Sequence, residues 1–288
     1  MIIIHQNILT NERFGNKKII GGIIINLEND FDSYLYGLIL SDGSIYLDTR
    51  NRGKVTIELK YECRKLIEQI QEKLSYKSSI RYRKRDTNFK LDYKCIVWTC
   101  CELSFRNELF KFGMPQKDKS YIADIPKVKY NIGAFWRGYI DGNGSVGFTK
   151  NDEPFISLTI VSEKLKTKYL KFLEDQFDII KIINRNNRDG VYNIIVKNED
   201  AINLGCFIYK EATIYIQEKY DKYLEFASWK RIKKKIHIRR WSKFEDNFIL
   251  NHTTEESVVK LNRTNDSIKT RLWRLKNNSN FELKEEIS

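Results

Sequence analysis

The chain has 288 residues, with 51 lysines and arginines against 38 aspartates and glutamates, for a formal net charge of +13. That length suits one large domain or two modest ones, and 41% hydrophobic with 13% aromatic residues supplies material for a core, which excludes wholesale disorder. The longest apolar stretch, Ile19 to Leu27, is interrupted by Gly21, Gly22 and Asn26 and falls well short of the roughly 20 residues of a membrane-spanning helix.

The start, Met1 to Gln6, carries neither the basic region nor the cleavage site of a secretion signal. A cytoplasmic location is expected, in a reducing compartment that extends to a host organelle or a phage-infected cell. Five cysteines (Cys63, Cys95, Cys100, Cys101 and Cys206) are odd in number and scattered, which fits neither a disulfide framework nor a zinc knuckle. They read as buried small hydrophobes. The three histidines, His5, His237 and His252, lack metal-ligand spacing, which disfavours a histidine-based nuclease or a zinc hydrolase.

Residues 1–29 form an extension with no counterpart later in the chain. Residues 33–43 (SYLYGLILSDG) and 134–144 (AFWRGYIDGNG) then align without a gap, with Gly37 and Gly138 lying 101 residues apart. After the first copy come strand-like segments at Ile45–Thr49 and Val55–Lys60, a helix near Cys63–Leu74, a hairpin over Ile80–Thr99 and a helix near Glu102–Phe112. After the second come Val146–Thr149, Phe155–Val161, a helix over Glu163–Phe177, a hairpin over Ile179–Lys197 turning at Asp189-Gly190, and a helix from Ala201 to Tyr209 or beyond. The order is αββαββα, twice, which places domain boundaries at residues 30–125 and 126–228.

Each repeated helix carries a small-residue stripe, Gly37/Ser41 and Gly138/Gly142, so the two faces suit backbone-to-backbone packing at a domain interface. Asp42 and Asn143 close their helices just before a glycine suited to the left-handed position. An acid there opposes the helix dipole and costs about 0.3–1 kcal/mol unless a cation offsets it. Crossing helices would bring residues 42 and 143 together, where hard oxygen ligands suit Mg²⁺, an ion able to activate water at a phosphodiester.

Leu35 to Gly43 and Trp136 to Gly144 resemble the two motifs of a single-chain LAGLIDADG homing endonuclease, a resemblance that covers residues 30–225. It implies an α+β fold of two pseudo-symmetric αββαββα domains, whose motif helices form the interface and whose two four-stranded sheets form a saddle over double-stranded DNA. It also implies Mg²⁺-dependent double-strand cleavage at a long, partly degenerate site. The eighth motif residue is then the metal-binding acid, which maps to Asp42 and Asn143, with the preceding carbonyls of Ser41 and Gly142 joining the metal shell. A basic residue from each domain is also implied near the scissile phosphates, and Lys94 and Lys197, in the last hairpin strands, are the candidates. The sequence departs from the pattern at Asn143, a neutral amide, and at Leu40, where the family usually has Asp. Asn143 leaves three readings open: a residue introduced to hold uncut DNA, a natural nickase, and a scaffold kept for binding.

Strand side chains alternate faces, so Arg81, Arg83 and Arg85 share one and suit phosphate or guanine contacts. In the matching hairpin Arg185 and Arg188, with Lys181, Asn184, Asn186 and Asn187, are the counterparts. The segment Trp229–Arg240 has seven basic residues and no acid, including Lys233, Lys234, Lys235, Arg239 and Arg240, the composition of a linker lying along phosphates.

A separate element follows at 241–276, with a tail over 277–288. Ser242 and Glu245 form a capping box ahead of a first helix, a second runs from Thr254 to Leu261, and a third from Asn265 to Leu275. Trp241, Phe248, Val258, Leu261, Ile268 and Leu272 are its expected core. This small all-α trihelical unit resembles a Myb/SANT-like helix-turn-helix domain, which implies DNA contact through Lys269, Thr270, Arg271 and Arg274.

The expected function is a site-specific DNA endonuclease, free-standing or intron-encoded and acting as a monomer. The alternatives are a non-cleaving DNA-binding regulator on a degenerate scaffold, or a maturase that binds intron RNA.

Overall fold

The computed structural model describes residues 25–86, 91–231 and 239–285, with side chains described to residue 277. Lys233, Lys234, Lys235 and residues 1–24 of the extension lie outside the described residues. The chain forms two compact units, Met1–Arg231 and Ile232–Ser288. Among the described residues no helix is long and apolar enough to cross a membrane.

The first unit opens with helix α1 (Asp30–Ser41), strands β1 (Ser44–Leu47) and β2 (Gly53–Lys60), helix α2 (Arg64–Lys73), strands β3 (Ser78–Arg85) and β4 (Tyr93–Cys100), helix α3 (Leu103–Lys111) and the short α4 (Lys119–Ile122). It continues with α5 (Ile132–Asn143), β5 (Gly144–Phe148), β6 (Pro154–Ile160), α6 (Glu163–Phe177), β7 (Tyr192–Lys197), α7 (Glu199–Tyr209) and α8 (Gln217–Phe226). The strands form two antiparallel sheets, ordered β1-β2-β4-β3 and β5-β6-β7. Alternation along β2 buries Val55, Ile57 and Leu59, and along β6 buries Ile156, Leu158 and Ile160, against one shared core.

The two motif helices stand at the centre of that core. Asn29 and Asn131 cap them, accepting hydrogen bonds from the Asp32 and Ala134 amides at 2.7 and 3.0 Å. The helices cross backbone to backbone: a Cβ on Gly37 would sit 2.2 Å from the Phe135 carbonyl oxygen, and one on Gly138 would sit 2.1 Å from that of Tyr34. Gly43 and Gly144 also serve close approach. Gly144 follows α5 with φ −116°, and a Cβ there would lie 2.6 Å from the Ser157 carbonyl oxygen, so the left-handed cap expected at these glycines does not form.

The second sheet corrects the expectation of four strands. Only Tyr192–Lys197 of the hairpin expected over Ile179–Lys197 is a strand. The exposed Arg185 side chain binds within the turn instead, donating from Nε to Tyr192 Oη at 3.2 Å and from Nη1 to the Gly190 carbonyl at 2.9 Å, and its guanidinium lies 4.8 Å over the Tyr192 ring. These contacts hold the turn rather than a ladder, leaving Ile180 and Ile182 exposed. The cysteines need correction too: Cys63, Cys95 and Cys100 are buried, but Cys101 and Cys206 are exposed.

Gly138→Ala forces a methyl group into a carbonyl that belongs to a rigid helix. Destabilisation of about 3 kcal/mol is expected, measured as a shift in the urea midpoint. A variant as stable as the parent would mean that the helices stand further apart.

Candidate functional site

The C-terminal ends of α1 and α5 meet on one side of the crossing. A Cβ on Gly142 would lie 2.0 Å from Ser41 Oγ and 3.1 Å from Asp42 Cβ, so the last turns touch. Asp42 and Asn143, both solvent-accessible, emerge there. A cleft of about 270 Å³ opens beside Asp42, bordered also by Asp141, Gly142, Lys60, Glu218 and Lys219.

Each helix end is capped by a lysine from a distant segment. Lys119, on α4, donates from Nζ to the carbonyls of Ile39 at 2.8 Å, Ser41 at 3.1 Å and Gly43. Lys219, in the first turn of α8, donates to those of Ile140 at 2.9 Å, Asp141 at 2.5 Å and Gly144 at 2.8 Å. These ammonium groups satisfy terminal carbonyls and offset the negative end of each dipole. Desolvation among protein atoms pushes Lys119 down to about 8, and lowers Lys219 as well, with Asp42 or Asp141 opposing the shift. The same desolvation raises the Asp42 carboxyl above its ordinary value, while the charges of Lys119 and then Lys219 pull it back.

These two lysines stand where Lys94 and Lys197 were expected. Thr99 is level with Thr56 and Ser44, next to the end of α1, so Lys94 lies five residues, about 17 Å, further along β4. Lys197 pairs with Phe155, level with Gly147, four residues or about 14 Å beyond the end of α5. Both lysines are exposed sheet residues. Helices α4 and α8 had not been separately anticipated, and α4, four residues long, offers no periodicity to detect.

Asp141, two residues before Asn143, is only 2% exposed. Its carboxylate accepts hydrogen bonds from Tyr34 Oη at 2.8 Å, Tyr209 Oη at 2.6 Å and the backbone N–H of Ile216 at 2.7 Å. Ile216 is the cap residue of α8, so Asp141 fixes the helix that carries Lys219. The buried Arg137 adds bonds to the Ile214 and Ile208 carbonyls at 2.9 and 2.7 Å and to Asp30 at 2.6 Å.

The register puts Arg81, Arg83 and Arg85 on the face of the first sheet that also presents Val97, Cys95 and Tyr93 from β4, and Glu58 from β2. Arg85 and Arg83 pair with Glu58 at 2.7 and 3.7 Å. On the second sheet the face away from the core carries Ser157, Thr159, Asn193, Ile195 and Lys197. Arg188 is exposed and pairs with Asp189 at 3.3 Å.

The second unit holds α9 (Lys243–Asn251), α10 (Thr254–Leu261) and α11 (Asn265–Glu285). Ser242 with Glu245, and Thr253 with Glu256, form capping boxes. Ile249, Leu261 and Ile268 make the core, joined by Trp241, Phe248, Val258, Leu272 and Leu275. Two arginines expected at DNA are engaged here. Arg271 grips Asp246 through two bonds, at 2.8 and 2.6 Å, and Arg239 binds Glu245 at 2.8 Å and the Leu261 carbonyl at 2.9 Å. Arg263, which sequence reasoning missed, stacks 4.0 Å over Trp241 and bonds to buried Glu245. Arg240, Lys269, Thr270, Trp273 and Arg274 are exposed.

Among the described residues no three His, Cys, Asp or Glu side chains converge as a metal cage. The donors at the helix ends are one carboxylate, one side-chain amide and backbone carbonyls. This set fits Mg²⁺, which takes hard oxygens and is commonly held by one or two carboxylates together with water and substrate phosphates.

Residues 131–205, which span α5, the second sheet and part of α7, match the family model described as a LAGLIDADG-like domain. Among solved structures the chain is similar to I-LtrWI, a LAGLIDADG homing endonuclease bound to target DNA, at 9% identity over 69% of this chain and 88% of that one, with a TM-score of 0.47. A mutant of I-SmaMI gives 12%, 69%, 89% and 0.46, and a mesophilic variant of the homing endonuclease I-DmoI gives 18%, 67%, 95% and 0.44. No curated protein matches the chain.

Within the second unit, Arg263 beside Glu245 holds that carboxyl down to about 2, against an ordinary 4.5. A depressed acid contributes stability that is present above its unfolded value and lost as pH falls through its folded one. Amide-exchange protection in α9–α11 should therefore decline between about pH 4.5 and pH 2, and at higher pH in Arg263→Met. Identical acid profiles for the two proteins would remove Glu245 as the cause.

Proposed function

We propose that this chain is a site-specific DNA endonuclease that hydrolyses phosphodiesters with Mg²⁺ at a long recognition site. The observation that carries the reading is the meeting of two motif-helix ends, each capped by a lysine, with the Asp42 carboxylate influenced by both ammonium groups. The LAGLIDADG-like domain over residues 131–205 supports it.

Asp42 would hold the metal ion, with the Ser41 and Gly142 carbonyls and the Asn143 amide oxygen as its neutral companions. When bound, Mg²⁺ supplies activation of water and stabilisation of the departing oxygen. Lys119 and Lys219 set positive charge where negative charge grows on the phosphate, and both are fixed beforehand by three carbonyl bonds. The outer faces of the two sheets form the saddle for the duplex, with Arg81, Arg83 and Arg85 on one and Lys197 and Asn193 on the other. In this reading the sheets belong to two pseudo-symmetric domains, and Arg83 and Arg85 exchange Glu58 for DNA. One chain supplies both helix ends, so a monomer is the active form. The second unit is a Myb/SANT-like module that lengthens the footprint through Arg240, Lys269, Thr270 and Arg274.

The test begins with duplexes selected for binding from a random pool and cloned into supercoiled plasmid. The parent cuts at the selected site with Mg²⁺ and stops when the ion is chelated. Asp42→Asn lowers the rate by about 10³-fold or more while binding persists. Affinity falls by about 10³-fold between roughly 50 and 200 mM salt, as several phosphate contacts require. Cleavage by Asp42→Asn at the parental rate would defeat the reading.

A further inference from the structure

We infer that Ile180, Ile182 and Ile195 read the 5-methyl groups of thymines in the major groove, so that the part of the site under the second sheet is chosen for its thymines. This rests on the nuclease reading and adds a base preference to it.

The three isoleucines make an apolar stripe on a surface that is otherwise polar. Ile180 is 78% exposed, Ile182 92% and Ile195 43%. Residues that alternate with them turn the other way: Ile179, Ile194 and Val196 are buried, and Ile183 packs against the core. The Asn186 N–H donates to the Val191 carbonyl at 2.8 Å, and Ile182 and Ile195 lie four residues from that bond along the two arms of the turn, Ile180 and Lys197 six. Burial and count agree that the stripe belongs to the outer face that also carries Asn193 and Lys197, continuous with the surface proposed for the duplex.

The exposed surface of these side chains does nothing for the core, and isoleucine has no group to offer a phosphate. Set against a polar base edge, it would leave the donor or acceptor there without a partner. The thymine methyl is the one apolar group that unmodified base pairs present in the major groove, and apolar side chains suit it. Lys197 beside the stripe adds the positive charge that draws the sugar-phosphate backbone in. On the first sheet the outer row of β3 holds Arg81, Arg83 and Arg85 instead. The two sheets therefore offer different chemistries, guanidiniums for guanine or phosphate on one and methyl-bearing side chains for thymine on the other.

The experiment uses the full chain, without divalent ions, on its selected duplex with each thymine replaced in turn by uracil, which lacks only the methyl. At one or more positions uracil weakens parental binding by about fourfold, as loss of one buried methyl requires. The doubly substituted Ile180→Ser/Ile182→Ser protein keeps the parental urea midpoint, because both positions are exposed, and binds thymine and uracil duplexes equally. Three results overturn the inference: uracil tolerated at every thymine, thymine preference retained by the double variant, or a DNA-free parent that dimerises in sedimentation through the stripe and becomes monomeric in the double variant. Each leaves the nuclease reading standing when the parent still cuts the selected duplex with Mg²⁺. A selection that yields no duplex overturns both.

Discussion

The close crossing of α1 and α5 sets the position of everything else at the site. With no side chain at Gly37 or Gly138, each backbone lies against a carbonyl of the other helix, and their last turns end side by side. Helices normally keep axes 8–10 Å apart according to the side chains between them, so glycine at the contact is what allows this approach. The interface is then locked by polar bonds across it: Ser33 Oγ donates to the Asn131 carbonyl at 2.8 Å, and Tyr34 Oη to buried Asp141.

Side-by-side helix ends create an electrostatic problem that the rest of the unit answers. Two sets of terminal carbonyls point the same way, each the negative end of a dipole, and Asp42 adds a full charge. The carboxylate at this helix end suggested a cation as the offset. The chain itself provides two, Lys119 and Lys219, each with three carbonyl acceptors. Desolvation disfavours their charge, so their retention here depends on those bonds and on the neighbouring acids. A bound metal ion would therefore join a positive cluster rather than neutralise a bare negative one, which raises the importance of the Asp42 carboxylate.

The parts of this arrangement that were legible in the sequence are local. The glycine stripe, Asp42 and Asn143 lie within one eleven-residue pattern repeated at a fixed interval, and period-two alternation gave the shared face of Arg81, Arg83 and Arg85. The capping box at Ser242 and the core of the second unit are equally short-range. The lysines were not legible because they reach the site from nearly eighty residues downstream of the carbonyls they bind. Lys94 and Lys197 matched on sequence order, but order along a strand does not reveal distance from the helix ends. Arg185, Arg239 and Arg271 show the complementary difficulty. A surface arginine and one gripping Asp246 or stacked on an aromatic ring have the same residue name, and only the fold assigns the partner.

The displacement of an acid by two residues has consequences out of proportion to the change. Two positions on a helix are about 200° apart, so positions 40 and 42, or 141 and 143, face opposite sides. Each helix end in this chain keeps one carboxylate: that of Asp42 is exposed, and that of Asp141 is buried beside the same cleft. Asp141 turns inward, where burial raises its carboxyl and two tyrosine hydroxyls and a backbone amide hold it. It thereby orders α8 and fixes the ammonium of Lys219 on the carbonyls beside it. The two ends therefore share helix, glycine and lysine geometry but differ in whether their carboxylate is exposed or buried.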